Sequence, residues 1–268
     1  LFVDIRNSVQ LIKDKQDRTM GRLYSVFTHC MLLAARQEGG LVRNIIGDRV
    51  MIVFPQDHCC TKAVNCAITI NHIAMLINKK IDNLDFKCGI GIDYGRMRVM
   101  KVGVVTKGAE NDDNKGLVWV GYPANFASRL TDCANKEFTD IMYQVDATFY
   151  HYNYLGTNTI FGSKPSGWYR EKQKLTAEEL AQSLVVKTVG YGSALSVSKC
   201  INPVSINRIE EKYTYDAILI SDAVYKGYKK ENPNNKSFLE KWWKLQKRSI
   251  RDIEFDVWGA DLHWILST

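Results

Sequence analysis

The sequence predicts an α+β sandwich in which helices pack on a mostly antiparallel sheet. Two observations lead to this fold class. Amphipathic helical patterns alternate along the chain with pairs of short, β-branched apolar runs, which is the order expected when helices and hairpins form separate layers. The two runs in IIGDRVMIVF are separated only by Gly47-Asp48, and that spacing is typical of a tight two-residue hairpin.

Each predicted element of the first half follows from a local pattern. Leu23, Phe27 and Met31 repeat at the spacing of one helix face, and Gly39-Gly40 ends that helix. Pro55 ends the strand that follows the Gly-Asp tip. The elements are a strand at 1–5, helices at about 18–36, 61–79 and 124–134, a hairpin at 41–54, two successive strands at 86–94 and 96–105, and a short apolar run at 117–120.

The second half has weaker signals, and residues 135–215 are interpreted as an insertion into a single domain that spans 1–268. Within this segment, Thr176 and Glu179 form the capping box of a predicted helix. The other predicted elements are that helix at 176–184, strands at 185–189 and 194–197, a strand leading into a helix at 216–225, and a closing hairpin at 253–266 that turns at Gly259-Ala260.

Residues 226–251 are strongly basic and contain Trp242-Trp243. They are predicted to form a basic helix. It is either a solvated helix anchored by its two aromatic residues, which we favour because most charge runs are exposed faces, or a membrane-surface or nucleic-acid element.

The composition narrows the class of partner. The chain has 268 residues and a formal net charge of +7, which attracts polyphosphates, nucleic acid or an acidic membrane face. The basic residues are spread along the chain except near the C-terminus, so small anionic ligands are favoured and no stable nucleic-acid or membrane partner is expected. No apolar run is expected to span a bilayer, and no signal peptide is recognised. The chain starts without Met inside a predicted strand, so upstream sequence is expected.

The seven cysteines are odd in number and include no CxxC pair. This usage favours a reduced, cytoplasmic location. His58-Cys59-Cys60 together with Cys66 could be a metal-binding knot, but free cysteines are commonly buried, and a buried helix face is the favoured interpretation.

Two aspartates are candidates for metal binding. Asp4 ends an apolar run, and Asp48 lies at the tip of the predicted hairpin. A single aspartate in such a place is usually a helix cap or a turn residue. Two carboxylates that converge from rigid strands supply the oxygen ligands that Mg²⁺ and Mn²⁺ prefer.

A second pair of polar residues lies on the helix of GYPANFASRL. Asn125 and Arg129 are four residues apart and therefore share one helix face. Asn125 offers an amide, and the guanidinium of Arg129 offers a fork of donors suited to phosphate. Alone this spacing is a weak signal, but it adds a phosphate-binding cation to a candidate metal site.

These stretches together resemble the catalytic domain of the class III nucleotide cyclases. FVDIRNSVQL resembles the first metal motif of that family, IIGDRVMIVF its Gly-Asp motif, and WVGYPANFASRL its Asn-x-x-Ser-Arg helix. CGIGIDYG, ILISDAVY and FDVWGADLHWIL resemble its other strands. The resemblance covers residue 1 to about 134 and again about 216–266, and it implies the sandwich fold of the family.

The resemblance also implies a chemistry. A ribose 3′-oxygen would attack the α-phosphorus of a nucleoside triphosphate in line and expel pyrophosphate. The family assembles each site from two protomers, so a homodimer with two equivalent sites is expected. The implied roles are two Mn²⁺ or Mg²⁺ ions held by Asp4, Asp48 and the Ile5 carbonyl, phosphate binding by the turn amides of Arg6, Asn7, Ser8 and Val9, ribose orientation by Asn125, and charge stabilisation by Arg129.

The chain departs from the family at the two positions that read the base. Adenylate and guanylate cyclases carry characteristic polar pairs there, whereas this chain has Asn44 and Val118. An asparagine can donate to and accept from a cytosine or a uracil edge. The sequence also resembles the bacterial pyrimidine cyclases of anti-phage systems, which signal to a separate effector through cyclic CMP or cyclic UMP. Asn44 does not choose between CTP and UTP.

The family's transition-state lysine would fall near Ala260, where no lysine is present. Arg43, Arg49 or a lysine within 226–230 could replace it. Two other functions stay open at this point. One is an adenylate cyclase with unusual base contacts, and the other is an inactive cyclase-like module that binds nucleotide or dimerises.

Overall fold

The structure is a computed structural model, and it describes residues 1–7, 17–81, 84–103, 105–106, 109–110, 116–151, 166–189, 192–198, 200–248, 250 and 253–265. The described part divides into two compact units. Unit 1 comprises Leu1–Lys136 and Thr214–Thr268, and unit 2 comprises Glu137–Tyr213. That unit 2 is an insertion into one cyclase domain stays a prediction.

Unit 1 contains helices and a mostly antiparallel sheet. Its first elements are β1 (Phe2–Ile5), α1 (Asp17–Gln37), β2 (Leu41–Ile46), β3 (Arg49–Val53), α2 (Cys59–Lys80), β4 (Cys88–Ile92), β5 (Arg98–Val102), β6 (Val105–Thr106), β7 (Ala109–Glu110), β8 (Gly116–Val120) and α3 (Tyr122–Cys133).

Unit 2 is built largely from strands. Its elements are β9 (Glu137–His151), β10 (Gly167–Thr176), α4 (Ala177–Ser183), β11 (Leu184–Val189), β12 (Gly192–Val197) and β13 (Cys200–Thr214), whose last residue belongs to unit 1. The predicted capping box is present, since Thr176 accepts from the Glu179 amide while Glu179 accepts from the Thr176 amide. Strands β10, β9 and β13 form one sheet, and β11 pairs with β12.

The chain then completes unit 1 with β14 (Ile218–Ser221), α5 (Asp222–Glu231), α6 (Lys236–Leu239), β15 (Lys244–Leu245) and β16 (Val257–Ala260). The main sheet has the order β15-β16-β14-β4-β1-β3-β2. The β14–β4 pair is parallel and its other pairs are antiparallel. Strand β1 is therefore central, and every residue of β4 and β14 is buried.

The core of unit 1 lies between this sheet and helices α1, α2 and α5. Phe27 of α1 meets Phe86 edge to face, with ring centroids 4.8 Å apart. Tyr228 of α5 packs on Phe238 and Trp243. Helix α2 is long and apolar enough to cross a membrane by length and composition, so the expectation that no run could do so is wrong on those criteria. In this fold, 61% of the most apolar 18-residue stretch of helix α2 is buried.

The predicted basic helix at 226–251 is wrong. Helix α5 ends at Glu231, because Pro233 follows its C-cap and Asn235 caps the separate short helix α6. The tryptophan pair is split, with Trp243 buried and its indole donating to Ser237 at 3.3 Å, while Trp242 is exposed.

Two strand predictions also need correction. The run at 96–105 does not pair with the strand before it, since β5 pairs with β8 in a separate ribbon. Gly259-Ala260 is not a turn but part of β16, which pairs with β14 on one side and β15 on the other. A Cβ at Gly259 would lie 2.5 Å from Asp216 Oδ2, so this glycine leaves room for the side chains of Asp216 and Gln246, which are hydrogen-bonded to each other at 3.0 Å.

Candidate functional site

Asp4 lies near the end of the central strand β1, where its side chain is 16% exposed. Strand β1 pairs with β3 through Val3 and Val50, and continuing this register places Arg49 opposite Asp4 and Asp48 opposite Ile5. Both predicted metal-binding aspartates therefore belong to the same end of neighbouring strands. Gly47, with a φ of +60°, makes the tight tip that presents Asp48.

Two arginines already neutralise Asp4. Its Oδ2 atom lies 2.9 Å from Arg49 Nη2 and 3.3 Å from Arg6 Nη1. These charge-assisted bonds hold the carboxylate in one orientation. A divalent cation that binds Asp4 would replace the positive charge that Arg6 and Arg49 supply here.

Arg6 is a structural residue of this site. Its Nε donates to the Ala134 carbonyl at 2.8 Å, and its Nη2 donates to the Thr131 carbonyl, so it satisfies carbonyls near the C-terminal end of α3. Burial lowers the pKa of Arg6, while Asp4 acts in the opposite direction. Gly89 on β4 makes room for this guanidinium, since a Cβ there would collide with it.

The turn after β1 only partly suits the predicted phosphate cradle. The Arg6 amide donates to the Lys87 carbonyl at 2.8 Å, so it is engaged within the sheet and is not available to a phosphate. Asn7 is exposed and has a φ of +53°. Ser8 and Val9, the other two members of that prediction, lie outside the described residues.

Arg49 connects Asp4 to helix α3. Its Nη1 donates to Ser128 Oγ at 3.0 Å, and its Nη2 donates to Asp132 as well as to Asp4. Partial burial acts to lower the pKa of Arg49, but the hydrogen bonds to Asp4 and Asp132 outweigh it and the pKa is raised. The sequence pointed to Arg49 only as a possible phosphate-binding cation, and Ser128 and Asp132 were missed.

The predicted pair Asn125 and Arg129 lies on α3 with both side chains exposed. The helix begins after Gly121, whose φ of +156° and 3.0 Å Cβ distance to the Arg96 carbonyl both favour glycine. Arg129 Cζ lies 5.8 Å from the ring centroid of Phe126. Helix α3 therefore uses Ser128 and Asp132 to bind Arg49 of the same chain. It exposes Asn125 and Arg129, the predicted catalytic pair, to solvent.

The predicted base-reading residues lie on β2 and β8. The β2–β3 register shifts between Val42 and Asn44, which makes Arg43 the extra residue of a bulge and sets the direction of Asn44. Arg43 Cζ lies 5.5 Å from the ring centroid of Trp119, the neighbour of Val118. The Arg43–Trp119 contact joins β2 to β8. Asn44 is the next residue after Arg43, and Val118 is the residue before Trp119. Trp119 was missed, although an aromatic beside a base-reading position is a usable signal.

A cavity of about 520 Å³ lies elsewhere in unit 1. It adjoins the start of β1 and the ends of β3 and β4, and its walls include Phe2, Phe54, Asp93 and the first residues of α2, Cys59 and Cys60. Because β1 runs antiparallel to β3 and β4, this cavity lies at the opposite strand ends from Asp4 and Asp48. Burial raises the pKa of Asp93 at its edge.

Comparison with known proteins gives relatives in sequence. No family model matches the chain. It is 30% identical over 142 residues to a uridylate cyclase of Burkholderia cepacia, a match covering 51% of this chain and 59% of that protein. It is 31% identical over 138 residues to a uridylate cyclase of Xanthomonas perforans, covering 49% of this chain and 57% of that protein. The chain spans less than two-thirds of the length of these relatives.

Among solved structures, the fold is similar to the crystal structure of the adenylyl cyclase CyaB from P. aeruginosa. The TM-score is 0.51 at 14% identity, and the match covers 96% of this chain and 89% of that chain. At this identity the similarity establishes the fold alone. The predicted fold class, an α+β sandwich of the class III nucleotide cyclase type, is confirmed.

Proposed function

We propose that this chain, which has the fold of a class III nucleotide cyclase domain and is related in sequence to proteins named uridylate cyclase, converts UTP to 3′,5′-cyclic UMP and pyrophosphate. The observation that carries the proposal is the placement of Asp4 and Asp48 at adjacent strand ends, with Asn125 and Arg129 exposed on α3. The relatives' names support UTP over CTP, a choice that Asn44 alone leaves open.

The donor set at the strand ends fits divalent cations. Asp4, Asp48 and the Ile5 carbonyl supply only oxygen, the ligand type preferred by Mg²⁺ and Mn²⁺. Asp4 is paired with Arg6 and Arg49 in this structure, so an ion that binds its carboxylate would displace at least one of these contacts. Two such ions would lower the pKa of the ribose 3′-hydroxyl and neutralise the triphosphate.

The chain's own residues then perform the remaining work. Asn125 hydrogen-bonds the ribose and aims its 3′-oxygen at the α-phosphorus. As the new O–P bond forms, the bond from the α-phosphorus to the bridging oxygen breaks, and pyrophosphate leaves with that oxygen. Arg129 donates to the α-phosphate oxygens, where negative charge accumulates in the transition state.

The base is read from β2 and β8. Uracil offers the N3–H donor beside the O4 acceptor, and the amide of Asn44 can accept from the first and donate to the second. Val118 offers no polar group and favours the smaller pyrimidine ring. The Arg43–Trp119 contact holds the two strands in place, so we assign these two residues a positioning role.

A lysine that could replace the missing one near Ala260 comes from the neighbouring strand. Lys244 of β15 pairs with Gly259 of β16 and is exposed. Two of the earlier candidates are engaged elsewhere: Arg49 is held by Asp4, Ser128 and Asp132, and Lys226 is ion-paired with Asp222 at 2.5 Å. We assign Lys244 to the triphosphate.

The active unit in this proposal is a homodimer. The exposed Asn125 and Arg129 of one copy complete the site that Asp4 and Asp48 begin in the other, so two equivalent sites form at the interface. The cyclic nucleotide then acts as a second messenger to a separate effector, in a cytoplasmic anti-phage response.

The test is a product assay with purified protein, Mn²⁺ and each of ATP, GTP, CTP and UTP, analysed by mass spectrometry. Cyclic UMP is expected as the main product, and Asp48→Ala is the matched inactive control. Cyclic AMP or cyclic GMP as the main product would contradict the base assignment. Equal turnover by Asp48→Ala would contradict the metal assignment.

A further inference from the structure

A second cluster of metal-ligating groups lies where helix α2 begins and helix α5 ends. The Sγ atoms of Cys59 and Cys60 and a carboxylate oxygen of Glu231 all lie within 4.8 Å of one another. Both cysteines are buried and neither is in a disulfide. Cys66, the third cysteine of the predicted knot, is not a member, and His58 is exposed. Glu231, far away in the sequence, takes their place.

The carboxylate of Glu231 is held by a second layer of hydrogen bonds. Its Oε2 atom accepts from the Thr61 amide at 2.7 Å and from the Thr61 hydroxyl at 2.5 Å. Asn232 in turn donates its Nδ2–H to Thr61 Oγ1. Ligating carboxylates in metal sites are oriented by partners of this kind, and both bonds that Glu231 accepts from Thr61 go to Oε2.

The local packing brings the sulfur of Cys60 close to helix α5. A Cβ at Gly227 would lie 2.5 Å from that sulfur, so this glycine permits the approach one turn before Glu231. Both cysteines also line the cavity of about 520 Å³, which gives an ion and a water molecule access to the cluster.

The three groups have the chemistry of a metal site. Thiolate sulfur is a soft ligand that zinc binds readily, and a carboxylate oxygen commonly completes such a set. A divalent cation between the three groups would balance the negative charge that two thiolates and a carboxylate bring together.

We propose that Cys59, Cys60 and Glu231 bind Zn²⁺, with a fourth coordination position open to the cavity. Zinc ligands lie at about 2.3 Å for sulfur and about 2.0–2.2 Å for oxygen, so the cluster closes on the ion by small side-chain shifts. The ion joins the start of α2 to the end of α5. It differs from the Mg²⁺ or Mn²⁺ expected at Asp4 and Asp48, because thiolates select zinc over these oxygen-preferring ions.

The test is a zinc titration of the purified full chain in competition with a chromophoric chelator, followed by Co²⁺ substitution. The expected result is one Zn²⁺ per chain, and a near-ultraviolet thiolate-to-cobalt band with Co²⁺. Cys60→Ser and Cys59→Ser are expected to weaken zinc binding at least about tenfold, as is usual when a ligand or its support is lost.

Cys66→Ser is the matched control, since Cys66 is a buried cysteine on the same helix outside the cluster. It is expected to bind zinc as the unchanged chain does. Absence of zinc binding by the unchanged chain, absence of the cobalt band, or equal losses in Cys66→Ser and Cys60→Ser would overturn the proposal. If Cys60→Ser fails to fold, the cobalt spectrum of the unchanged chain still decides. None of these measurements depends on cyclase activity.

Discussion

The guanidinium of Arg49 lies 2.9 Å from the carboxylate of Asp4, the residue that is expected to hold metal. The same Nη2 atom also donates to Asp132, and Nη1 donates to Ser128. We therefore predict that Arg49 competes with metal for Asp4, and that Asp132 competes with Asp4 for Arg49. On this prediction, the metal affinity of the proposed site depends on how one arginine is divided between two carboxylates.

Arg49→Ala is expected to bind Mn²⁺ more tightly, by about 10-fold or more, because a hydrogen bond to a charged group contributes about 1.5–3 kcal/mol. Asp132→Asn is expected to shift the Mn²⁺ affinity the other way, since Asp4 is then the one negatively charged partner left among the three described partners of Arg49. The measurement is the electron paramagnetic resonance signal of free Mn²⁺ during titration. The same direction of change in both variants would disprove the competition.

If each active site is built from two copies of the chain, as proposed, two different inactive variants should restore activity when they are mixed. Asp48→Ala and Arg129→Ala should each lose at least about 100-fold in cyclase rate, because each lacks one half of every site. A refolded equimolar mixture should recover about a quarter of the unchanged rate, since half of the dimers are mixed and each mixed dimer has one intact site. A mixture no faster than its components would exclude sites shared between copies.

Lys244→Ala is expected to lower kcat about 10- to 100-fold while nucleotide binding changes less, if its ammonium binds charge that develops in the transition state. Lys241→Ala is the comparison, because Lys241 is also exposed but lies in the turn before β15. Binding of a non-hydrolysable UTP analogue separates the two effects. Equal kcat values in Lys244→Ala and Lys241→Ala would show that Lys244 does not take part in catalysis.

Gly89→Ala tests the space that Arg6 requires. The added Cβ would collide with the Arg6 guanidinium and the Ala134 carbonyl, so the free energy of unfolding should fall by about 1–3 kcal/mol or more. Gly21→Ala is the control, because a Cβ added there in helix α1 would have no atom within 4 Å, and it should be neutral or stabilising by up to about 1 kcal/mol. Denaturant unfolding of both variants measures the contrast.

Asp216 predicts how stability depends on pH. Burial raises its pKa, and the neighbouring Asp261 adds to the effect. A carboxyl with a raised folded-state pKa binds its proton more tightly when folded, so its contribution to stability is present below about pH 4 and is lost as pH rises through the folded-state value. The free energy of unfolding, measured as pH rises from about 4, should fall less in Asp216→Asn than in the unchanged chain. Asp85→Asn, at an exposed carboxylate, should show the same fall as the unchanged chain.

The elements that carry Asp4 and Asp48 were predictable because their signals are local. Gly47 adopts the left-handed φ that its hairpin requires, and the apolar residues on either side fix the register of Asp48. The helix of Asn125 and Arg129 likewise begins after a glycine and has a proline in its first turn. Such short-range patterns need no knowledge of the rest of the chain.

The rest of the site depends on contacts between distant residues. Arg49 reaches Ser128, and Arg6 reaches Ala134, across separations that no periodicity encodes. The pairing of β5 with β8 is likewise chosen by tertiary packing. Gly259 was misread as a turn because a glycine that leaves room for neighbouring side chains looks the same in sequence as one that reverses the chain. A charged residue at the start of an apolar strand, as Arg49 is in RVMIV, was the available clue to the Arg49 contacts.

The chain leaves unit 1 and returns to it at neighbouring points. Ala134 and Tyr215 form a bridge, and the Asn135 amide lies 3.1 Å from the carbonyls of both Tyr215 and Asp216. In unit 2, the Glu137 carboxylate likewise lies 3.0 Å from Lys212 Nζ. Because these two points lie side by side, we expect that residues 137–213 can be exchanged for a short linker, or for a foreign domain whose ends lie close together, without re-routing any strand of the main sheet.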